Sequence, residues 1–491
     1  MKQLISFLLC LSMLFTLCAC SQQEQTPDAI NPQDTSVSAP APTPTPTPTP
    51  APEQPGALLP EQRHPLTLAW PEMQNADFWI ALAEEPQAVQ MTAEEIAAYN
   101  AATIANYKTD TEDLASWPEV LNSAKLYSLL NHYGPQPDSG YYTPEGRITA
   151  DQAFLIGENR NTAAVQPENP VRYGFVTENT ILRTFPSPTP LYDSPDSWEY
   201  DKAAETAWKI WEPVLVLHAS ADGEWYLARA YDYLGWVPVS DVALCQKDVW
   251  SDLCTRLREN RLTVTAARLP LDGSFHFPAL DGTVLKMGTR LPLLSDATEA
   301  DNAIADNCYV VQLPIRQEDG TLALGESRIP THEDVVVGEL PYTTENVLRQ
   351  AFKLLGHRYG WGGTADGWDC SSICQDVFRT MGLDVPRNSG SQLNTPGSID
   401  ASGMNTAAKM EALAGLRPGA MLEMPGHQTM YIGRYKGEDY IIHATHGVYD
   451  LYGHFYEANS VIVSSVKAYR SNGKTIMACF RGFSLPRVTE Q

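Results

Sequence analysis

Residues 345–381 carry two amphipathic helical patterns separated by a stretch too glycine-rich for regular structure, and this arrangement limits the fold more than any other feature of the chain. Val347, Leu348, Ala351, Phe352 and Leu355 line one face of the first pattern, which Gly356 stops. Ile373, Cys374, Val377, Phe378 and Met381 line the inner face of the second, with Gly382 after it. Between them run Tyr359-Gly360-Trp361-Gly362-Gly363 and then Gly367-Trp368-Asp369-Cys370-Ser371-Ser372. Cys370 is thereby set at a helix start, where unpaired N–H groups and the positive end of the dipole favour an anion and lower a thiol pKa. It is the candidate nucleophile. Cys374, on the buried face, reads as a small core residue.

A nucleophilic thiol needs a base, and the base needs an orienting partner. Gly426-His427 opens a strand running to Gly433, Lys436-Gly437-Glu438 turns, and Tyr440-Ile441-Ile442-His443-Ala444 returns. Such a hairpin can bring His427 and His443 together on adjacent strands, one imidazole taking the thiol proton and the other fixing its tautomer. His446 is a rival for the orienting role, and His454 reads as a surface residue.

The rest of the chain is mixed. From about Pro65 to Ala150 the pattern is mostly helical, with Thr92 placed to cap a helix whose first turn is acidic. From Val171 to Leu244 it changes to short strands: Val214–Leu217 is a buried run, Asp222-Gly223 a turn, and Trp225–Ala228 and Tyr233–Pro238 follow. A second β-rich segment runs from Leu262 to Val337. The expected fold class is α+β, in a 491-residue chain long enough for three or four domains of about 150 residues. A formal net charge of −25 disfavours nucleic acid as a partner. The six cysteines beyond residue 20 are too scattered for a disulfide framework, and Cys370 and Cys374 lack the neighbours a zinc site needs, so neither metal nor cofactor is expected.

At the start, Lys2 precedes an apolar run from Leu4 to Leu17, the order of an export signal and short for a membrane span of ~20 residues. Residues 39–51, APAPTPTPTPTPA, favour an extended, semi-rigid spacer.

Two sets of motifs carry resemblances. Leu17-Cys18-Ala19-Cys20 resembles the bacterial lipoprotein cleavage box, which implies lipidation at Cys20 and an extracytoplasmic, membrane-anchored chain. The order Tyr-x-Trp-Gly-Gly, Asp-Cys-Ser, Arg-x-Ser-x-x-Gln, Pro-Gly, Gly-His and Ile-His-Ala resembles the NlpC family of papain-like cell-wall cysteine peptidases. By that resemblance Cys370 is the nucleophile, His427 the base and His443 the orienting residue. Tyr359 lies near the oxyanion, Trp361 belongs to the same loop, Asp369 and Ser371 bind the substrate's amine and backbone, and Ser389 lines the site. The sequence departs from the family in a longer hairpin, lengthened by Arg434 to Asp439, and in Pro-Gly-Ala ending at Ala420.

The strands around Gly235-Trp236-Val237 resemble a bacterial SH3-like domain. The whole order resembles one branch of the family, with a signal at 1–20, a linker at 21–60, a helical stabilising domain at 61–160, SH3-like barrels at 165–245 and 246–338, and the peptidase at 339–487. In that branch the first SH3-like domain closes one end of the groove, so that a stem peptide with a free N-terminal L-Ala is cut between D-γ-Glu and the diamino acid. Asp201, Glu205, Tyr231 and Tyr233 are candidates for contacting the alanine amine, with ordinary surface and barrel packing as the alternative. Two other functions stay open: a non-catalytic wall-binding lipoprotein, and an acyltransferase or amidase using the same thioester.

Overall fold

In a computed structural model of the chain, residues 67–271, 277–294, 307–450 and 452–487 are described. The export-signal region, Cys20 and the 21–60 spacer lie outside them.

The N-terminal segment supplies α1 (Ala76–Ile80), α2 (Ala93–Ala105), α3 (Ser123–Leu130) and α4 (Ala150–Glu158). Thr92 caps α2 reciprocally with Glu95: its hydroxyl accepts the Glu95 N–H at 3.3 Å while its own N–H donates to the Glu95 carboxylate at 2.7 Å. The helical segment shares its cores with the rest of the chain. Trp70, Met73, Trp79, Met91 and Tyr99 are buried in one core with Val347, Phe378, Ile432, Ile442 and Val463 of the C-terminal third. Leu121, Leu126 and Leu130 join a second core with Phe175, Trp211, Leu262 and Leu313.

Residues 172–245 form a seven-stranded antiparallel sheet: β1 (Arg172–Val176), β2 (Thr180–Arg183), β3 (Ala204–Trp208), β4 (Pro213–Ala219), β5 (Trp225–Arg229), β6 (Leu234–Pro238) and β7 (Val242–Cys245), in the order β7-β1-β4-β5-β6-β2-β3. Gly223, at φ +77°, makes the turn between β4 and β5. Val176, Leu182, Val214, Val216, Ala228 and Val237 fill its interior.

Residues 246–338, read as a second barrel, begin with a helix, α5 (Lys247–Glu259). After it come β8 (Arg261–Val264), β9 (Arg268–Pro270), β10 (Val284–Lys286), β11 (Arg290–Pro292), β12 (Cys308–Arg316), β13 (Leu322–Pro330) and β14 (Val335–Val337). These strands divide among three small sheets, β11-β8-β14, β9-β10 and β12-β13.

The C-terminal third opens with α6 (Thr344–Lys353), α7 (Cys370–Arg379), α8 (Ser389–Gln392) and α9 (Thr406–Ala414). Its sheet comprises β15 (Ser398–Asp400), β16 (Met421–Met424), β17 (His427–Tyr435), β18 (Glu438–Tyr449), β19 (Phe455–Ser465) and β20 (Gly482–Ser484), in the order β15-β20-β16-β17-β18-β19. The Cys374 side of α7 is buried against β17 and β18. This packing brings the head of one helix to the ends of two strands. Trp79 lies 3.1 Å from where a Cβ on Gly433 would sit, so this glycine, at φ +137° in the β17 bulge, admits the indole.

Candidate active site

Asp369 caps α7. Its carboxylate accepts the Ser372 N–H at 3.0 Å and the Gly362 N–H at 3.1 Å, while its own N–H donates to the Ser372 hydroxyl at 2.9 Å. Cys370 is the first residue of the helix, partly exposed, with the backbone N–H of Gln428 beside its sulfur. The expected lowering of its pKa is reversed. Loss of water around the thiol, reinforced by the Asp369 carboxylate, pushes it up to about 12, outweighing the helix N-terminus. Cys374 is fully buried.

The hairpin of β17 and β18 places His427 Nε2 2.7 Å from His443 Nδ1, and His443 Nε2 lies 2.9 Å from the hydroxyl of Ser464 on β19. Burial lowers both imidazoles: His427 well below its ordinary value, and His443 to about 3. Both are therefore neutral near pH 7, and the hydrogen-bond chain can run in only two directions. If the Ser464 hydroxyl accepts from His443 Nε2–H, then His443 Nδ1 accepts from His427 Nε2–H, and His427 Nδ1 is left with a free lone pair. Only this direction makes His427 a base. Ser464, fully buried, has no motif around it that points to this task. Removing its oxygen strands a buried N–H, so Ser464→Ala is expected to lower kcat by roughly tenfold or more. Unchanged turnover at saturating substrate would refute the tautomer assignment.

His446 is not the orienter. Its Nδ1 meets the Asn459 side chain at 2.9 Å and its ring stacks on Phe455 at 5.1 Å. His454 is exposed and paired with Asp450. His427, His443 and His446 line a cleft of about 420 Å³, together with Tyr359, Trp361 and Tyr200. Tyr200, from the loop between β2 and β3, stands edge-on to Trp361 at 5.6 Å and to Tyr359 at 6.1 Å. Its neighbour Asp201, a candidate for the alanine amine, turns its carboxylate away to Arg183 at 2.9 Å and to the N–H groups of Leu191 and Ala203. Tyr231 also lies elsewhere. Its hydroxyl donates to the Val385 carbonyl at 3.4 Å, and it borders a different cavity with Trp250 and Cys254.

Glu205 and Tyr233 do meet, phenol to carboxylate, and both feel the charge of Arg387. That arginine organises the wall beside Cys370. It is ion-paired with Asp369, donates to the Ser371 hydroxyl at 2.8 Å and donates to Thr206 on β3 at 2.6 Å. Asp369 and Ser371, expected to meet substrate, are thus first held by Arg387, which keeps the Asp369 carboxyl below its usual range against the opposing pull of burial. Gln392 adds a bond to the Ser371 carbonyl at 3.1 Å. Ser389 opens α8, half-buried.

The seven-stranded sheet is bound tightly to this site. Lys209 meets Asp376 of α7 at 2.5 Å and Glu212 meets Arg379 of α7 at 2.7 Å, all four side chains buried. Gly362 and Gly363, both at positive φ, lie against β3. A Cβ on the first would come 2.7 Å from the Ala204 carbonyl, and on the second 2.5 Å from the Ala207 methyl. Trp361 Nε1 donates to that same carbonyl at 3.1 Å, and Lys202 covers its ring at 4.3 Å. Among the described residues no group of three or more His, Cys, Asp or Glu could hold a metal ion, and no helix is long and apolar enough to cross a membrane.

Residues 356–465 match the NlpC/P60 family, and residues 190–238 match an SH3 domain of the SH3b1 type. A gamma-D-glutamyl-L-lysine dipeptidyl-peptidase of Bacillus cereus is 27% identical over 171 residues, 34% of this chain and 45% of that protein. One from Bacillus subtilis is 30% identical over 90 residues, 17% of this chain and 30% of that protein. The chain thus spans less than half the length of these curated relatives. Among solved structures, an NlpC/P60 endopeptidase from Photobacterium damselae subsp. piscicida shares the fold, with a TM-score of 0.68 at 17% identity over 87% of this chain and 99% of that one. The chain carries an NlpC/P60 family domain preceded by an SH3b1-type domain.

Proposed function

We propose that the chain is a cysteine peptidase of peptidoglycan stem peptides, cutting the D-γ-glutamyl–diamino acid bond of stems with a free N-terminal L-Ala. The observation that carries this reading is the run from His427 through His443 to Ser464, together with a Cys370 at a capped helix start whose sulfur meets the backbone N–H of Gln428, the residue after His427. His427 Nδ1 takes the thiol proton as Sγ attacks the γ-carbonyl of D-Glu. The C–N bond then breaks, and the same proton passes to the departing amine. Water, deprotonated in turn by His427, cleaves the thioester and restores the thiol. Tyr359, its hydroxyl kept protonated by burial and the nearby carboxylate, is the donor suited to the transient oxyanion.

The free-amine preference is supported by β3 against the Gly362-Gly363 loop and by Glu205 and Tyr233 beside Arg387. The two relatives named above are dipeptidyl-peptidases, consistent with release of L-Ala–D-Glu. The same reading keeps the chain outside the cytoplasm, held by a lipid on Cys20. L-Ala–γ-D-Glu–L-Lys is expected to be cut at least about a hundredfold faster, in kcat/KM, than its N-acetylated form, because acylation removes a cation facing a carboxylate. Equal rates would show a groove open to glycan-linked stems.

A further inference from the structure

Among the described residues, the cleft is lined by aromatic and imidazole side chains and by a single cationic one, Arg470. On the side of the SH3-like sheet, behind the cleft lining, the carboxylates of Glu205 and Asp369 gather around Arg387. The turn after β19 contributes Tyr469, Arg470 and Ser471 to the lining, and Tyr469 bridges to Tyr449 and Thr475. The turn is tied by two backbone bonds, Arg470 N–H to the Lys474 carbonyl and Gly473 N–H to the Arg470 carbonyl, each 2.9 Å. Of the described residues lining the cleft, Arg470 is the only lysine or arginine. Its Nη2 donates to the Pro425 carbonyl at 3.2 Å, and among the described residues no carboxylate pairs with it. In a chain with 59 acidic side chains, a cleft guanidinium left without an acid partner is a site open to an anion from outside.

We infer that Arg470 receives the α-carboxylate of the leaving amino acid and so selects peptides that end at the residue being released. This rests on the proposed peptidase reading, in which His427 hands its proton to the departing amine and the leaving residue therefore lies on the imidazole side of the cleft. The α-carboxylate carbon is two bonds from that nitrogen, and the fork of a guanidinium matches a carboxylate with two parallel hydrogen bonds. The positive charge of Arg470 also reaches both imidazoles, contributing to the lowering of each. The cleft then reads as complementary to a short zwitterionic peptide, amine toward the SH3-like sheet and carboxylate toward the 470–473 turn.

The test compares L-Ala–γ-D-Glu–L-Lys with its C-terminal carboxamide on the full chain. Both keep the free amine, so the opposite end of the cleft is held constant. Wild type is expected to favour the acid, and Arg470→Gln to reduce the acid-to-amide ratio of kcat/KM about tenfold, with Arg470→Lys retaining part of it. An unchanged ratio in Arg470→Gln, with wild type cutting both peptides, would overturn the assignment alone. Failure of wild type to cut either peptide would overturn the peptidase reading and this assignment together.

Discussion

Release of L-Ala–D-Glu from a soluble stem peptide is expected to fall at least about 10³-fold when Cys370 becomes alanine, with the unfolding temperature unchanged. The size of the loss follows from the chemistry: without the sulfur there is no thioester, and a neutral imidazole alone has nothing to activate but water. The unchanged fold follows from the site. The helix is held by the Asp369 cap and the buried face around Cys374, neither of which the substitution touches. Mass spectrometry of defined muropeptide digests, with thermal melting in parallel, reads both arms. Residual turnover near wild type would remove Cys370 from the mechanism.

Arg387→Met is expected to lower stability by about 3–5 kcal/mol, because Asp369 would remain buried without its cation. The same change frees the Ser371 hydroxyl and the Thr206 contact, so activity should fall together with stability. Adding Asp369→Asn should recover part of the lost stability, since it removes the stranded charge. Denaturant titration of the single and double variants decides the point. A loss under about 1 kcal/mol, with no recovery in the double variant, would mean that the pair carries little of the site's order.

What could be read in the sequence was local. The helix start at Cys370, the glycine-rich loop before it and the hairpin carrying His427 and His443 each follow from short-range pattern, and each stands in the structure as read. What failed depended on which way a side chain turns. Asp201 and Tyr200 are adjacent, yet only Tyr200 reaches the cleft, because a loop has no periodicity from which to infer facing. The Arg-x-Ser-x-x-Gln segment was recognised for Ser389, whereas Arg387 and Gln392 hold the wall of the site. Ser464 was invisible because one serine in a strand looks like any other. The thiol's pKa went the other way because helix position is visible in sequence and burial is not.

The union of Trp70, Met73 and Trp79 with strands hundreds of residues later bears on how the chain reaches its native state. Thr67 accepts a hydrogen bond from the N–H of Ser465, at the end of β19. The first described residues therefore cannot finish folding until nearly all of the chain has emerged, and the long loop between them must close before those contacts stabilise anything. A chain still on the ribosome would leave three large apolar side chains unburied, a vulnerable interval in which a holding chaperone would matter most.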